Sequence, residues 1–354
     1  MLVKRMNTRT SVSQLLILGT VVAMLESSAM SQSLDVPAKT LPVPQTPSPQ
    51  IQRLISAPLR PDWNVLPKSG EEWRQVADAA ATRTVQTLPG LIERMGVTVE
   101  KTTIDGVRAF IVTPKEIPAS NRHRVLLHMH GGCYVLSPGE AGLPEAVMMA
   151  GFGGFKVISV DYRMPPEAYF PAALEDGFTV YKHLLKTTDA RHIAIFGSSA
   201  GGALTLEIVL RAKQERIPVP AAIAPGTPMS DVTKVGDTFY TNDMVDNVLV
   251  SRDGFCDAGT EVYAAGHDMK DPLISPVYGD MSGFPPAILT SGTRDLLLSN
   301  TVRVHRKLRQ AGVEAILQVF EGQSHAHYLR DDSAPETKEA FAEISLFFDK
   351  HIAR

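Results

Sequence analysis

Cysteine is scarce in this sequence: 354 residues hold two, Cys133 and Cys256. A chain this long builds a large core without a disulfide framework, and spacing alone cannot say whether two cysteines lie within bridging distance, so their pairing stays open. An excess of positive charge is also absent. Lysine and arginine total 35 against 38 aspartates and glutamates, for a formal net charge of −3, which removes the electrostatic footprint of a nucleic-acid partner. The N-terminal apolar stretch, from about Val12 to Leu25, is too short to span a bilayer comfortably. No repeat period is visible, and the one low-complexity tract is "PAKTLPVPQTPSP", Pro37 to Pro49. What remains is ordinary globular composition, 44% hydrophobic and 21% charged, enough for one large domain or two small ones.

The N-terminus differs in kind from the rest. Lys4, Arg5 and Arg9 precede the apolar stretch, and Ser27-Ser28-Ala29 follow it. That layout predicts a secretory signal peptide over residues 1–29 and a periplasmic or secreted mature chain with no transmembrane segment. Residues 30–59 read as a proline-rich, extended linker. Folded structure is expected over 60–354. Ser69 and Glu72 have capping-box spacing, and Trp73, Val76, Ala77 and Ala80 recur at helical spacing until Pro89-Gly90 is expected to stop the helix.

Strands and helices then alternate. "VTVEK" and "VRAFIVT" suggest a hairpin, and "RVLLHMH", "FKVISVD", "HIAIFG", "AAIA", "PAILTS" and "EAILQVF" are short apolar runs. Helix-length segments at 171–187, 201–216, 299–312 and 335–351 separate most of them, the last with Phe341, Ile344, Phe348 and Ile352 on one stripe. The pattern predicts an α/β fold with a mainly parallel sheet covered on both faces. Residues 229–270 are too long for an ordinary connection and are expected to form a cap, joined by residues 60–95.

The chemistry centres on "FGSSAGG", residues 196–202, between a predicted strand and a predicted helix. Its Gly197-x-Ser199-x-Gly201 pattern is a nucleophile elbow in the strand-turn-helix setting such a turn requires. A serine needs a histidine to take its proton and a carboxylate to orient that histidine. Asp295 in "SGTRDLLL" and His325 in "EGQSHAHY" each lie just past a predicted strand, and the order Ser, Asp, His is the one α/β-hydrolases use. Asp271 in "DPLISP" is the alternative acid. "HMHGGC" offers His128, His130 and Cys133 but lacks a fourth zinc ligand, so His128 is assigned a structural role. Asp161, Arg163 and Glu167 are also read as structural. No group that would lower the pKa of Cys133 is predicted beside it, so its side chain is read as a bystander.

At this point the sequence resembles the hormone-sensitive-lipase-like family of α/β-hydrolases, the bacterial family IV esterases. "HGGCYV", "VDYRMPPEAYFPAAL", "GSSAGG", "DPLISP", "GTRDLLL" and "EGQSHAHY" stand in the family's order over roughly residues 60–350. The resemblance implies the α/β-hydrolase fold with a small helical cap, and no cofactor or metal. It makes Ser199 the nucleophile, His325 the general base and acid, and Asp295 its orienting carboxylate, with the N–H groups of Gly131, Gly132 and Ala200 forming an oxyanion hole. The family usually has glycine where this chain has Cys133, and often aspartate where it has Ser198.

The expected function is that of an exported serine carboxylesterase acting on a small-molecule ester of small to medium acyl chain through an acyl-enzyme. Lactones, carbamates or amides would use the same machinery, and a non-catalytic receptor on the same fold is the reading from a different class. A homodimer stays open.

Overall fold

The computed structural model describes residues 33–353; the expected signal peptide lies outside them. The chain divides into two units at Pro42. In the first, residues 33–42 have no helix or strand. The second carries all the elements that follow.

Its sheet has eight strands: β1 (Val97–Ile104), β2 (Val107–Pro114), β3 (Val125–Met129), β4 (Lys156–Val160), β5 (Ile193–Ser198), β6 (Ala222–Gly226), β7 (Ala287–Gly292) and β8 (Ala315–Phe320), in the order β1-β2-β4-β3-β5-β6-β7-β8. β1 and β2 form the expected antiparallel hairpin, β2 runs antiparallel to β4, and from β4 to β8 every pairing is parallel. β3, β5, β6 and β7 are buried along their whole length, which explains why they read as unbroken apolar runs rather than alternating ones.

The helices are α1 (Pro49–Ile55), α2 (Gly70–Met95), α3 (Pro144–Gly153), α4 (Ala172–Leu184), α5 (Ala200–Glu215), the single turn α6 (Thr238–Thr241), α7 (Phe255–Ala264), α8 (Leu298–Gln310) and α9 (Pro335–His351). Phe178 of α4, Leu204 and Ile208 of α5, and Val304 and Leu308 of α8 share one core with Leu127, Ile195 and Leu289 of the sheet. Val147 of α3 and Phe341, Ile344 and Phe348 of α9 share a second core with Leu126, Ala194 and Ile288. Neighbouring strand residues point to opposite cores, so the sheet is covered on both faces, as alternating β and α segments require.

Two boundaries differ from expectation. The expected linker 30–59 contains α1, started by Pro49 behind a Ser48 cap and held by buried Ile51 and Ile55. α2 does not stop at Pro89-Gly90: it runs through the proline to Met95 and ends on Gly96 in the left-handed conformation. Leu88 and Leu91, on either side of the proline, are buried against the α3–α9 core, and that burial outweighs the lost backbone hydrogen bond. At its other end α2 places Trp73 on Phe255 of α7, ring centroids 5.0 Å apart. Within 229–270 the regular elements are α6 and α7.

Candidate active site

Ser199 sits between β5 and α5 with φ 61° and ψ −122°, a backbone conformation that side chains strain to adopt. The turn is tight enough that a Cβ on Gly197 or Gly201 would come within 2.0 or 1.9 Å of the Met129 carbonyl oxygen. Only glycine fits on either side, which is the physical content of the Gly-x-Ser-x-Gly pattern. Ala200 opens α5, so its N–H has no partner within the helix.

His325 follows β8 and Asp295 follows β7, adjacent parallel strands, so both loops emerge at the same end of the sheet as the elbow. His325 Nδ1 lies 3.1 Å from Asp295 Oδ1 and 3.1 Å from Thr227 Oγ1. Asp295 is fully buried, and its carboxylate accepts from the hydroxyls of Thr227 and Ser291, the latter at 2.9 Å, and from the Leu297 N–H at 2.8 Å. Burial works against its charge, but His325, Thr227 and the Leu297 amide outweigh it and hold the carboxyl below its ordinary range. An ionised Asp295 that only accepts assigns the proton to Nδ1 of His325, leaving Nε2 as the acceptor.

Ser199 and His325 line one cavity of about 730 Å³, together with Gly131 and Gly132. Gly131 passes so close to the elbow that a Cβ there would fall 2.8 Å from the Ser198 carbonyl oxygen. The structure thus places Ser199, His325, Gly131 and Gly132 on one cavity, with Asp295 against His325 and Ala200 next to Ser199 in the chain. Asp271 is not among them: its carboxylate accepts from the Leu273 N–H at 2.9 Å and caps a turn. Asp161 accepts from Gly139 N–H at 2.8 Å and Arg163 is clamped on Asp176, both structural roles, while Glu167 pairs with Arg74 on the surface. His128 Nδ1 meets Ser159 Oγ at 2.9 Å, and His130 stacks on Tyr162 with centroids 4.0 Å apart; burial lowers its pKa to about 4.

Cys133 is more than a bystander in a loop. It is bonded to Cys256 of α7, 123 residues away, with Cα atoms 5.2 Å apart. Cys133 and the next residue, Tyr134, both have positive φ, 54° and 62°. The following side chains add to the anchorage: Tyr134 stacks on Tyr263 of α7 with centroids 4.2 Å apart, and its hydroxyl donates to buried Glu207 at 3.2 Å. Ser198, where the resembled family often has aspartate, donates to Glu145 at 2.6 Å and lies 2.5 Å from the Tyr328 hydroxyl, next to Ser199 in the chain.

One carboxylate escaped the sequence reading. Asp246, fully buried within 229–270, accepts from the N–H groups of Val248 at 2.8 Å, Leu249 at 3.1 Å, Leu296 at 2.8 Å and His325 at 3.2 Å. Burial first, and then the charge of Asp295, raise its pKa to about 6. "NDMVDNVLV" has no motif that singles it out; its role follows from the path of the cap, which spacing does not reveal.

An elbow serine after β5, with a histidine and a carboxylate on the loops after β8 and β7 of a mainly parallel sheet, defines an α/β-hydrolase. A family model described as the alpha/beta hydrolase fold matches residues 126–329. The esterase of Acinetobacter venetianus is 30% identical over 246 residues, 68% of this chain and 80% of that protein. Among solved structures, esterase E25 is 44% identical with a TM-score of 0.87, covering 90% of this chain and 99% of its own. An esterase from the bacterial hormone-sensitive lipase family is 27% identical with a TM-score of 0.71, covering 86% and 99%. The chain belongs to the α/β-hydrolase family, among its bacterial hormone-sensitive-lipase-like esterases.

Proposed function

We propose that this carboxylic ester hydrolase works as an exported serine esterase with Ser199 as nucleophile, through an acyl-enzyme. The observation that carries the reading is the convergence of Ser199 and His325 on one cavity, with buried Asp295 3.1 Å behind the imidazole. Nε2 of His325 takes the serine proton as Oγ attacks the ester carbonyl. The N–H groups of Gly131, Gly132 and Ala200 receive the oxyanion, whose charge is worth most in a water-poor site. The imidazolium, steadied by Asp295, protonates the leaving alcohol; water activated by the same nitrogen then releases the acid and restores Ser199. A cavity of about 730 Å³ suits esters of small to medium size. Export is supported by the basic, apolar and small-residue order of the N-terminus and by the Cys133–Cys256 bond, which an oxidising compartment preserves.

The test is hydrolysis of a chromogenic short-chain ester together with labelling by a fluorophosphonate. Turnover and a single adduct on the Ser199 peptide are expected, and Ser199→Ala should lose both while keeping its fold. An adduct that persists in that variant overturns the assignment.

A further inference from the structure

The cavity above Ser199 carries an uneven charge. Arg60, Arg83, Arg94 and Arg330 line it, against two acidic side chains, Glu145 and Asp332, and no lysine. Composition does not explain this, because the chain as a whole is acidic. Nor do the two acids neutralise it. Glu145 is held at the bottom by Ser198, and Asp332 is engaged by Arg94 in a two-point pair at 2.8 and 2.9 Å. Arg60 is similarly matched by Asp62 at 3.2 Å. Arg83 and Arg330 make no side-chain hydrogen bond or ion pair among the described residues.

Arg83 and Arg330 line the same cavity as Ser199 and His325. Ala80, Thr84, Thr87, Leu91 and Arg94 follow one another at spacings of four and three along α2 and line the cavity as a stripe, with Arg83 beside it. Arg330 comes five residues after His325 on the loop beyond β8. Both arginines are exposed where they line the cavity; the acidic charges that reach them without a hydrogen bond are those of Asp246 for Arg330 and Asp62 for Arg83. A guanidinium with no side-chain hydrogen bond of its own is free to receive an incoming anion, and it offers the planar fork that fits a carboxylate.

Resting on the esterase reading above, we propose that the preferred substrates are esters carrying a free carboxylate, which Arg83 and Arg330 receive at the cavity wall while the ester carbonyl lies on Ser199. The acceptor atoms of the substrate give these two guanidiniums the direct hydrogen-bonded partner that no side chain among the described residues provides, and the apolar wall formed by Trp63, Leu88 and Met148 takes the connecting chain.

The experiment compares matched esters, each normalised to its alkaline hydrolysis rate. On the acyl side the pair is p-nitrophenyl monoadipate and its methyl-blocked diester; on the alcohol side it is 4-carboxyphenyl butyrate and 4-carbamoylphenyl butyrate. The acid should exceed its neutral partner in kcat/KM by about tenfold or more in one pair, through a lower KM. That ratio should shrink as salt rises from 0.05 to about 0.5 M. Arg83→Gln and Arg330→Gln should each lower the ratio several-fold, and Arg330→Lys should restore part of it. The salt series on the unaltered protein covers the case of a variant that does not fold. Hydrolysis of the neutral esters with no preference for the acids in either pair overturns this inference and leaves the esterase reading standing, as does a preference indifferent to salt and to both arginines. Failure to hydrolyse any of the four esters counts against the esterase reading itself.

Discussion

The backbone N–H of His325 donates to the carboxylate of Asp246, 79 residues earlier in the chain, at 3.2 Å. The segment 229–270 therefore holds the loop of the proposed base directly. Asp246 titrates at about 6 in the folded protein against 3.8 ordinarily, so the fold binds its proton more tightly than the unfolded chain does. Its contribution to stability is complete below pH about 4 and is lost as pH rises through 6, by an amount on the order of 3 kcal/mol. Asp246→Asn should abolish that part of the pH dependence. It should also be less stable at pH 4, since one amide oxygen cannot replace two carboxyl oxygens that receive four N–H groups. Urea unfolding of both proteins from pH 4 to 7 checks this; parallel stability profiles would sink it.

The two candidate acids separate by their surroundings. Asp295→Asn should keep the fold and lower kcat by roughly four orders of magnitude, because the imidazole loses the partner that fixes its tautomer. Asp271→Asn should cost about 1 kcal/mol of stability through its turn and leave kcat within a few-fold. Steady-state kinetics and thermal melts on the pair decide it, and the reverse pattern would mean that the carboxylate has been misplaced.

Losing the Cys133–Cys256 bond releases a loop of 123 residues from its tether. The double variant Cys133→Ala, Cys256→Ala should lose about 2–5 kcal/mol of stability while keeping far more activity than Ser199→Ala, since the proposed oxyanion donors are backbone groups. In the Cys256→Ala background, Cys133→Gly should be more stable than Cys133→Ala by about 1 kcal/mol, because φ at this position is 54°. Denaturant melts rank the variants, and equal stability of the glycine and alanine forms would contradict the strain argument.

Ser198 and Glu145 offer a check on the support behind the proposed nucleophile. Ser198→Ala would leave Glu145 Oε1 and the Tyr328 hydroxyl without their shared partner in a buried setting. A loss of about 1–3 kcal/mol is expected. Because Ser198 lies next to Ser199, kcat should fall while the fluorophosphonate adduct still forms on Ser199. An unchanged melting temperature would show that the network carries no stability.

The sheet and the triad candidates were legible because both leave local signals. Buried parallel strands appear as short apolar runs, and a strained elbow demands Gly197 and Gly201 at fixed offsets. Asp295 and His325 could be chosen because strand ends in a parallel sheet are read directly from where apolar runs stop. The continuation of α2 past Pro89 was hidden, since a proline's local cost is visible in sequence and the burial of Leu88 and Leu91 that offsets it is not. Asp246, Thr227 and the pairing of Cys133 with Cys256 were hidden for the same reason: each depends on contacts between segments dozens of residues apart.

The segment 229–270 grips the proposed reaction centre at two places, through Asp246 on the His325 loop and through Cys256 on the turn after Gly132. A roof attached in this way cannot be exchanged like a gasket. Replacing it would also shift the imidazole of His325 and the backbone of the proposed oxyanion donors, so a graft of the corresponding segment from a relative should carry both anchors with it.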